Sequence, residues 1–399
     1  MTTAVGGTLL ALAVIGAVAR PRGLPSWVAA VLAAVVAVAV GVVSRRTAST
    51  ALHPLVEPLV FLLLAVPLAA MLDELGVFDA AARLARGRHL TIATWLLAIT
   101  TVALFNLDAA VVLLTPLYVR IARGQHLDAV ALAFQPMLAA CLASSLLPVS
   151  NLTNLIAASD RHLTSVAFLK VLGPPTVAAC VVGYIGWWLA FRHRLTVPGD
   201  EVTRRPHDRA DQRALTIGAA TTSILLLGFI PGRSWGLPAW AVVAAVDVGL
   251  VALVRRVPWR RVPVGTAALA ASLAVLVAAV GRHVPVGAWL GGAGHSAGAL
   301  VRVVVVGAVA ANLVNNLPAF LLGLRAVPVG RPGVWALLLG VNAGPTLLVT
   351  GTLSTLIWFG LVHRDHLDVR ARDVARVGAV AGLPALAAST AVLLVTARW

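Results

Sequence analysis

Residues 90–123 read LTIATWLLAITTVALFNLDAAVVLLTPLYVRIAR, and how this stretch crosses a membrane decides the architecture. Two apolar arms, 90–105 and 109–119, flank the polar tripeptide Asn106-Leu107-Asp108. Arg86 and Arg88 precede the first arm, and Arg120 and Arg123 follow the second. With basic residues at both ends and a polar centre, the segment is predicted to enter and leave on one side as a re-entrant hairpin. Backbone that leaves the helix at membrane depth must be surrounded by protein or line a cavity.

The rest of the chain supports a membrane setting. Of 399 residues, 60% are hydrophobic and 12% charged, against about 25% charged in soluble domains. Mean hydropathy is +0.93. Apolar runs approaching the ~20 residues of a spanning helix recur throughout. The net charge of +16 does not indicate nucleic-acid binding, because the basic residues punctuate the gaps between apolar runs and do not cluster on one soluble face. Cys141 and Cys180 lie inside apolar runs with no metal or disulfide spacing. The histidines sit at segment ends (His89, His126, His193, His363, His366), so neither a metal site nor a cofactor is expected. No phosphate-binding glycine loop is present, which points to secondary transport. Residues 4–19 lack a preceding basic region and are read as a retained first span.

Spans are expected near 4–19, 27–43 and 54–82, then the hairpin, an interrupted span at 127–159 broken around Pro148–Asn151, and a closing span at 166–191. Residues 192–213, with six Arg and four acidic residues, form a linker too short to bury a core. The plan then repeats: spans near 214–230, 237–254 and 263–280, a second hairpin at 288–327 centred on Asn315-Asn316-Leu317-Pro318, an interrupted span at 333–362, and a last span at 374–395. With the linker placed in the cytoplasm, the inner loops hold 21 of the 31 Lys and Arg, as the positive-inside rule requires. The first half (1–191) then begins outside and the second (214–399) inside. The expected fold is therefore an all-α protein of the cytoplasmic membrane, with about ten transmembrane helices and two re-entrant hairpins in two inverted repeats. A sequence echo supports the repeat: SNLTNLI at 150–156 aligns with GTLSTLI at 351–357.

The candidate site gathers these breaks. Asp108 is the leading residue, because a carboxyl near mid-bilayer costs at least ~2.5–3.5 kcal/mol and normally faces an ion or solute path. It is suited to carry the coupling proton, and it can also cap the second arm of the hairpin. Asn106, Asn315 and Asn316 offer amide donors and acceptors at the tips, whereas Asn312 reads as interhelical glue. Ser150, Asn151, Thr153 and Asn154 in one interrupted span, and Gly351, Thr352, Ser354 and Thr355 in the other, place hydroxyls, amides and unwound backbone at helix ends. No Lys or Arg accompanies them, which favours a small inorganic solute, neutral and hydroxylated or handled through dipoles, over a multiply charged anion. Asp247, inside the 237–254 span, is a second candidate proton relay or a locally paired acid.

These motifs resemble the arsenite/antimonite efflux pump family (arsenical pump membrane proteins) of the ion-transporter superfamily. The resemblance is carried by Leu107-Asp108-Ala109-Ala110 through Leu114-Thr115-Pro116, by Val149–Asn154, and by Asn342-Ala343-Gly344-Pro345 through Trp358. It departs at the first tip, where the family's Asn-Asp pair is Leu107-Asp108 with Asn106 one position earlier. Asp108 is placed opposite Asn316. The resemblance implies export of arsenite or antimonite driven by protons or by a soluble ATPase subunit. It also implies a transport unit moving against a homodimeric scaffold. Sodium/proton exchange and organic-anion transport on the same scaffold are the alternatives.

Overall fold

The computed structural model describes residues 2–19, 24–84, 89–195, 209–281, 286–290, 296–328 and 332–396. Arg86, Arg88 and residues 196–208 of the linker lie outside them. Every regular element among the described residues is helical, and the protein is an all-α membrane protein. Five helices have the length and apolarity to cross a bilayer: Arg45–Glu74, Gly173–Phe191, Trp259–Val280, Ala297–Val314 and Ala371–Thr396. Shorter apolar helices accompany them, including Ser26–Ala39, Leu90–Phe105, Ala129–Leu142 and Pro332–Ala343. Three of these, Leu90–Phe105, Ala129–Leu142 and Pro332–Ala343, are short because an apolar stretch of the chain is interrupted where they end.

The expected span 54–82 is two helices. Val56–Glu74 ends at Gly76, whose φ of +77° is a left-handed stop that glycine adopts without strain. A short helix, Val77–Leu84, follows. Asp79 and Glu74 flank this stop and reach Arg120 (3.5 Å) and Arg256 (2.9 Å).

Helices Thr2–Ala19, Ser26–Ala39 and Val264–Val280 pack together as one bundle. The last of these also lies against the returning arm of the second hairpin. Small residues set the other close crossings, as is common in membranes. A Cβ on Gly186 of Gly173–Phe191 would stand 2.5 Å from the Cα of Ala381 in the final span. Trp187 and Trp358 are fully buried, and their indole N–H groups donate to the carbonyls of Ala131 (2.8 Å) and Ala133 (2.6 Å). Both indoles therefore fasten onto the first arm of the first interrupted span.

Candidate functional site

The first hairpin turns at Asn106, between helices Leu90–Phe105 and Leu107–Gly124. Asn106 has φ +95° and ψ 150°, and its side-chain oxygen accepts from the backbone N–H of Asp108 at 2.8 Å. The second hairpin turns the same way at Asn315, between Ala297–Val314 and Asn316–Ala326. Its φ is +79° and ψ 151°, and its side chain accepts from the N–H of Leu317 at 3.4 Å. An asparagine fits because its short amide both tolerates the unusual backbone and caps the helix that follows. This local match corrects the expected pairing of the tips: Asn106 corresponds to Asn315, so Asp108 stands opposite Leu317 and not opposite Asn316. The only acid of the two tips has an apolar counterpart.

The interrupted spans also match each other. Ala129–Leu142 and Leu152–Asp160 are joined through Asn151, whose side chain caps the N–H of Thr153 at 3.2 Å. Pro332–Ala343 and Leu353–Arg364 are joined through Thr352, whose hydroxyl caps the N–H of Thr355 at 3.0 Å. The second hairpin is sewn to the second break: the Asn316 N–H donates to the Gly351 carbonyl (2.9 Å) and the Asn315 amide to the Thr350 carbonyl (3.2 Å). Asn312 donates to the Gly344 carbonyl (3.0 Å) and accepts from the N–H groups of Leu347 and Leu348, the glue role expected of it.

Four breaks converge on a cavity of about 50 Å³. Asn106 and Asp108, Asn151 and Thr153, Asn315 and Asn316, and Ser354 all line it. Ser354, from the second half, donates its hydroxyl to the Asp108 carboxylate, so the acid of the first hairpin is held by the other half of the chain. Among the described residues the wall contains no Lys or Arg.

The other candidate residues are not in that wall; their polar groups are used to hold the breaks. Ser150 donates to the carbonyls of Leu147 (3.0 Å) and Ala103 (3.3 Å). Asn154 donates to the carbonyls of Ser144 (2.6 Å) and Leu147 (2.9 Å). Thr352 and Thr355 share a hydroxyl hydrogen bond of 2.8 Å, and Gly351 gives its carbonyl to the second tip. Asp247 does not line the cavity, and its Oδ1 is buried with no hydrogen-bond partner among the described residues.

The sequence reading missed Asn342 as a site residue. Its side-chain oxygen accepts from Asn151 (2.9 Å) and Thr153 (2.8 Å), and its amide donates to Ser145 (3.1 Å) and Asn154 (2.7 Å). One amide of the second half thus satisfies four polar groups of the first. The available signal was an asparagine in the otherwise apolar helix Pro332–Ala343. Thr266, Leu269, Ala270 and Leu273, from helix Val264–Val280, close the remaining wall; an apolar helical face gives no such signal.

Residues 10–352 match the family model described as Citrate transporter, CitMHS. The chain belongs to the CitMHS family. Across 97% of its length it is also similar to curated arsenical pump membrane proteins. It is 25% identical to that of Yersinia enterocolitica and 24% identical to that of Escherichia coli K12, in each case over 97% of the relative. Its fold is similar to that of the Alcanivorax borkumensis YdaH transporter, with a TM-score of 0.56 and 17% identity over 87% of this chain and 85% of that one. This CitMHS member is a multi-pass membrane transporter.

Proposed function

We propose that the protein exports arsenite or antimonite across the cytoplasmic membrane in exchange for protons. The observation that carries this reading is the composition of the cavity wall: amides, hydroxyls and one carboxyl, without a cationic side chain. Undissociated arsenite is a small neutral polyhydroxyl, and such a wall meets its hydroxyls with donors and acceptors alike. About 50 Å³ accommodates a solute of a few atoms, far below the ~300–1,000 Å³ of sites for larger organic ligands. Asp108 supplies the coupling. Ionised, it is an acceptor held by Ser354 at the start of a helix, where the dipole favours negative charge. Protonated, it becomes a donor, so taking up a proton changes what the wall offers the solute.

In this reading residues 1–191 and 214–399 are inverted repeats, the 192–213 linker is cytoplasmic, and the two hairpins are re-entrant from opposite sides. A homodimeric scaffold follows the same analogy, and a soluble ATPase subunit is the alternative energy source. The relatives named as arsenical pump membrane proteins support the substrate assignment.

The test is uptake of radiolabelled arsenite or antimonite into everted membrane vesicles energised with a proton gradient. Uptake should collapse with a protonophore and fall to background in Asp108→Asn. Proton-driven uptake that survives Asp108→Asn would remove this residue from coupling. The family's description as a citrate transporter makes citrate the competing substrate. Accumulation of citrate and not metalloid, or sodium-dependent proton flux alone, would replace the assignment.

A further inference from the structure

A second, larger cavity of about 440 Å³ lies next to the site, and the three elements they share determine how the two are arranged. On helix Val264–Val280 the site is lined by Thr266, Leu269, Ala270 and Leu273, and the larger cavity by Ala274 and Val277. These positions form two rows at four-residue spacing, Thr266–Ala270–Ala274 and Leu269–Leu273–Val277, and so lie on one face. The returning arm of the second hairpin repeats the pattern, with Leu317 at the site and Leu321 and Arg325 beyond it. The second arm of the first interrupted span does so again, with Leu152 at the site and Ile156 and Asp160 beyond. Three independent helical faces therefore run from one cavity into the other in the same direction.

We infer that the larger cavity is a solute vestibule stacked on the site and separated from it by an apolar septum one helical turn thick. The septum consists of Leu273, Leu317 and Leu152 on the site side and Ile156, Leu321 and Val277 on the other. Ile156, Leu273 and Leu317 are buried, and four residues of helix span about 6 Å. An aliphatic constriction of that depth excludes water and polar solutes until its side chains part. Helix Val264–Val280 starts beside the basic 255–261 loop and runs away from it. The vestibule therefore opens on the external face in the orientation proposed above, and is the release path of an exporter.

The mouth of the vestibule is organised by Arg161. Its guanidinium donates to the carbonyls of Leu324 (2.8 Å) and Val327 (3.2 Å) and lies 2.9 Å from the Asp160 carboxylate. It thereby fixes the end of the second hairpin to the end of the first interrupted span, so the two vestibule walls are held together where they reach the surface. Widening of the septum must then occur deeper, at the leucines.

The inference rests on the transport reading for its biological role, but its test needs no transported solute. Ala274→Cys and Ala270→Cys are made separately in a Cys141→Ala/Cys180→Ala background and treated with a membrane-impermeant thiol reagent. Right-side-out spheroplasts and everted vesicles are compared, and labelling after denaturation measures the total. Ala274→Cys should react from outside at least about tenfold faster than Ala270→Cys, the ratio a barrier of about 1.4 kcal/mol gives. Adding Leu273→Ala should raise external labelling of Ala270→Cys. Labelling of Ala274→Cys only in everted vesicles, equal external rates at the two positions, or no effect of Leu273→Ala would each overturn the inference. Failure of metalloid uptake with this labelling pattern intact would overturn only the substrate assignment.

Discussion

Asn106 and Asn315 sit at φ of +95° and +79° with ψ near 150°, a region that costs a residue with a Cβ roughly 1–3 kcal/mol. At Asn106 the side-chain cap offsets part of this, since loss of such a cap costs about 1 kcal/mol. Asn106→Gly should therefore lose the cap but keep an easy backbone, whereas Asn106→Ala should lose both. Thermal unfolding in detergent should place Gly level with or above wild type, and both above Ala; an Ala variant as stable as Gly would show that the backbone geometry is not limiting. Asn342→Leu should be more damaging, because it orphans buried groups on Ser145, Asn151, Thr153 and Asn154 at roughly 1–3 kcal/mol each. A fall in the folded, monodisperse fraction on size exclusion would report this loss. The tips were legible because a polar tripeptide inside an apolar run demands an explanation wherever it folds. The division of the 150–154 and 351–355 segments into wall and brace was not legible. Both uses need the same hydroxyls and amides, and only the tertiary placement of particular carbonyls, such as Ala103 and Ser144, separates them.

Helix crossings decide how closely the breaks approach one another. A Cβ on Gly340 would lie 3.0 Å from the Cα and 3.1 Å from the carbonyl carbon of Val304 in the first arm of the second hairpin, both of them rigid backbone atoms. Gly340→Ala should therefore cost about 1–3 kcal/mol by overpacking. Gly360, in helix Leu353–Arg364, has nothing within 4 Å of its would-be Cβ, so Gly360→Ala should be neutral or should stabilise by up to about 1 kcal/mol. Melting temperatures of the two variants, measured side by side by intrinsic tryptophan fluorescence, distinguish the two cases. The order of helical segments follows from the apolar runs and charged gaps. Their ends are harder to read, as at 54–82, because hydropathy is insensitive to a left-handed glycine such as Gly76.

At the scale of the molecule, orientation depends on where the arginines lie relative to the apolar runs. An epitope inserted at 196–208 should be reached by antibody in everted vesicles and not in intact spheroplasts; the opposite result would invert the vestibule as well as the linker. The second half of the chain also completes the first. Equivalent positions of the two interrupted spans reach across in opposite directions: Asn342 satisfies the first break, and Cys141 points its thiol at the Pro345 carbonyl of the second (3.6 Å). The exchange is unequal, since the amide serves four partners and the thiol one. Translation makes this inequality a matter of timing. The first break leaves the ribosome almost two hundred residues before Asn342 does, with the hydrogen bonds of Asn151, Thr153 and Ser145 to that amide still unmade. The arrangement of breaks around the cavity is therefore a late product of biogenesis, finished only when the penultimate segments are inserted. A chain truncated before Asn342 would leave its first half in the bilayer as an unfinished intermediate, exposed to membrane quality control.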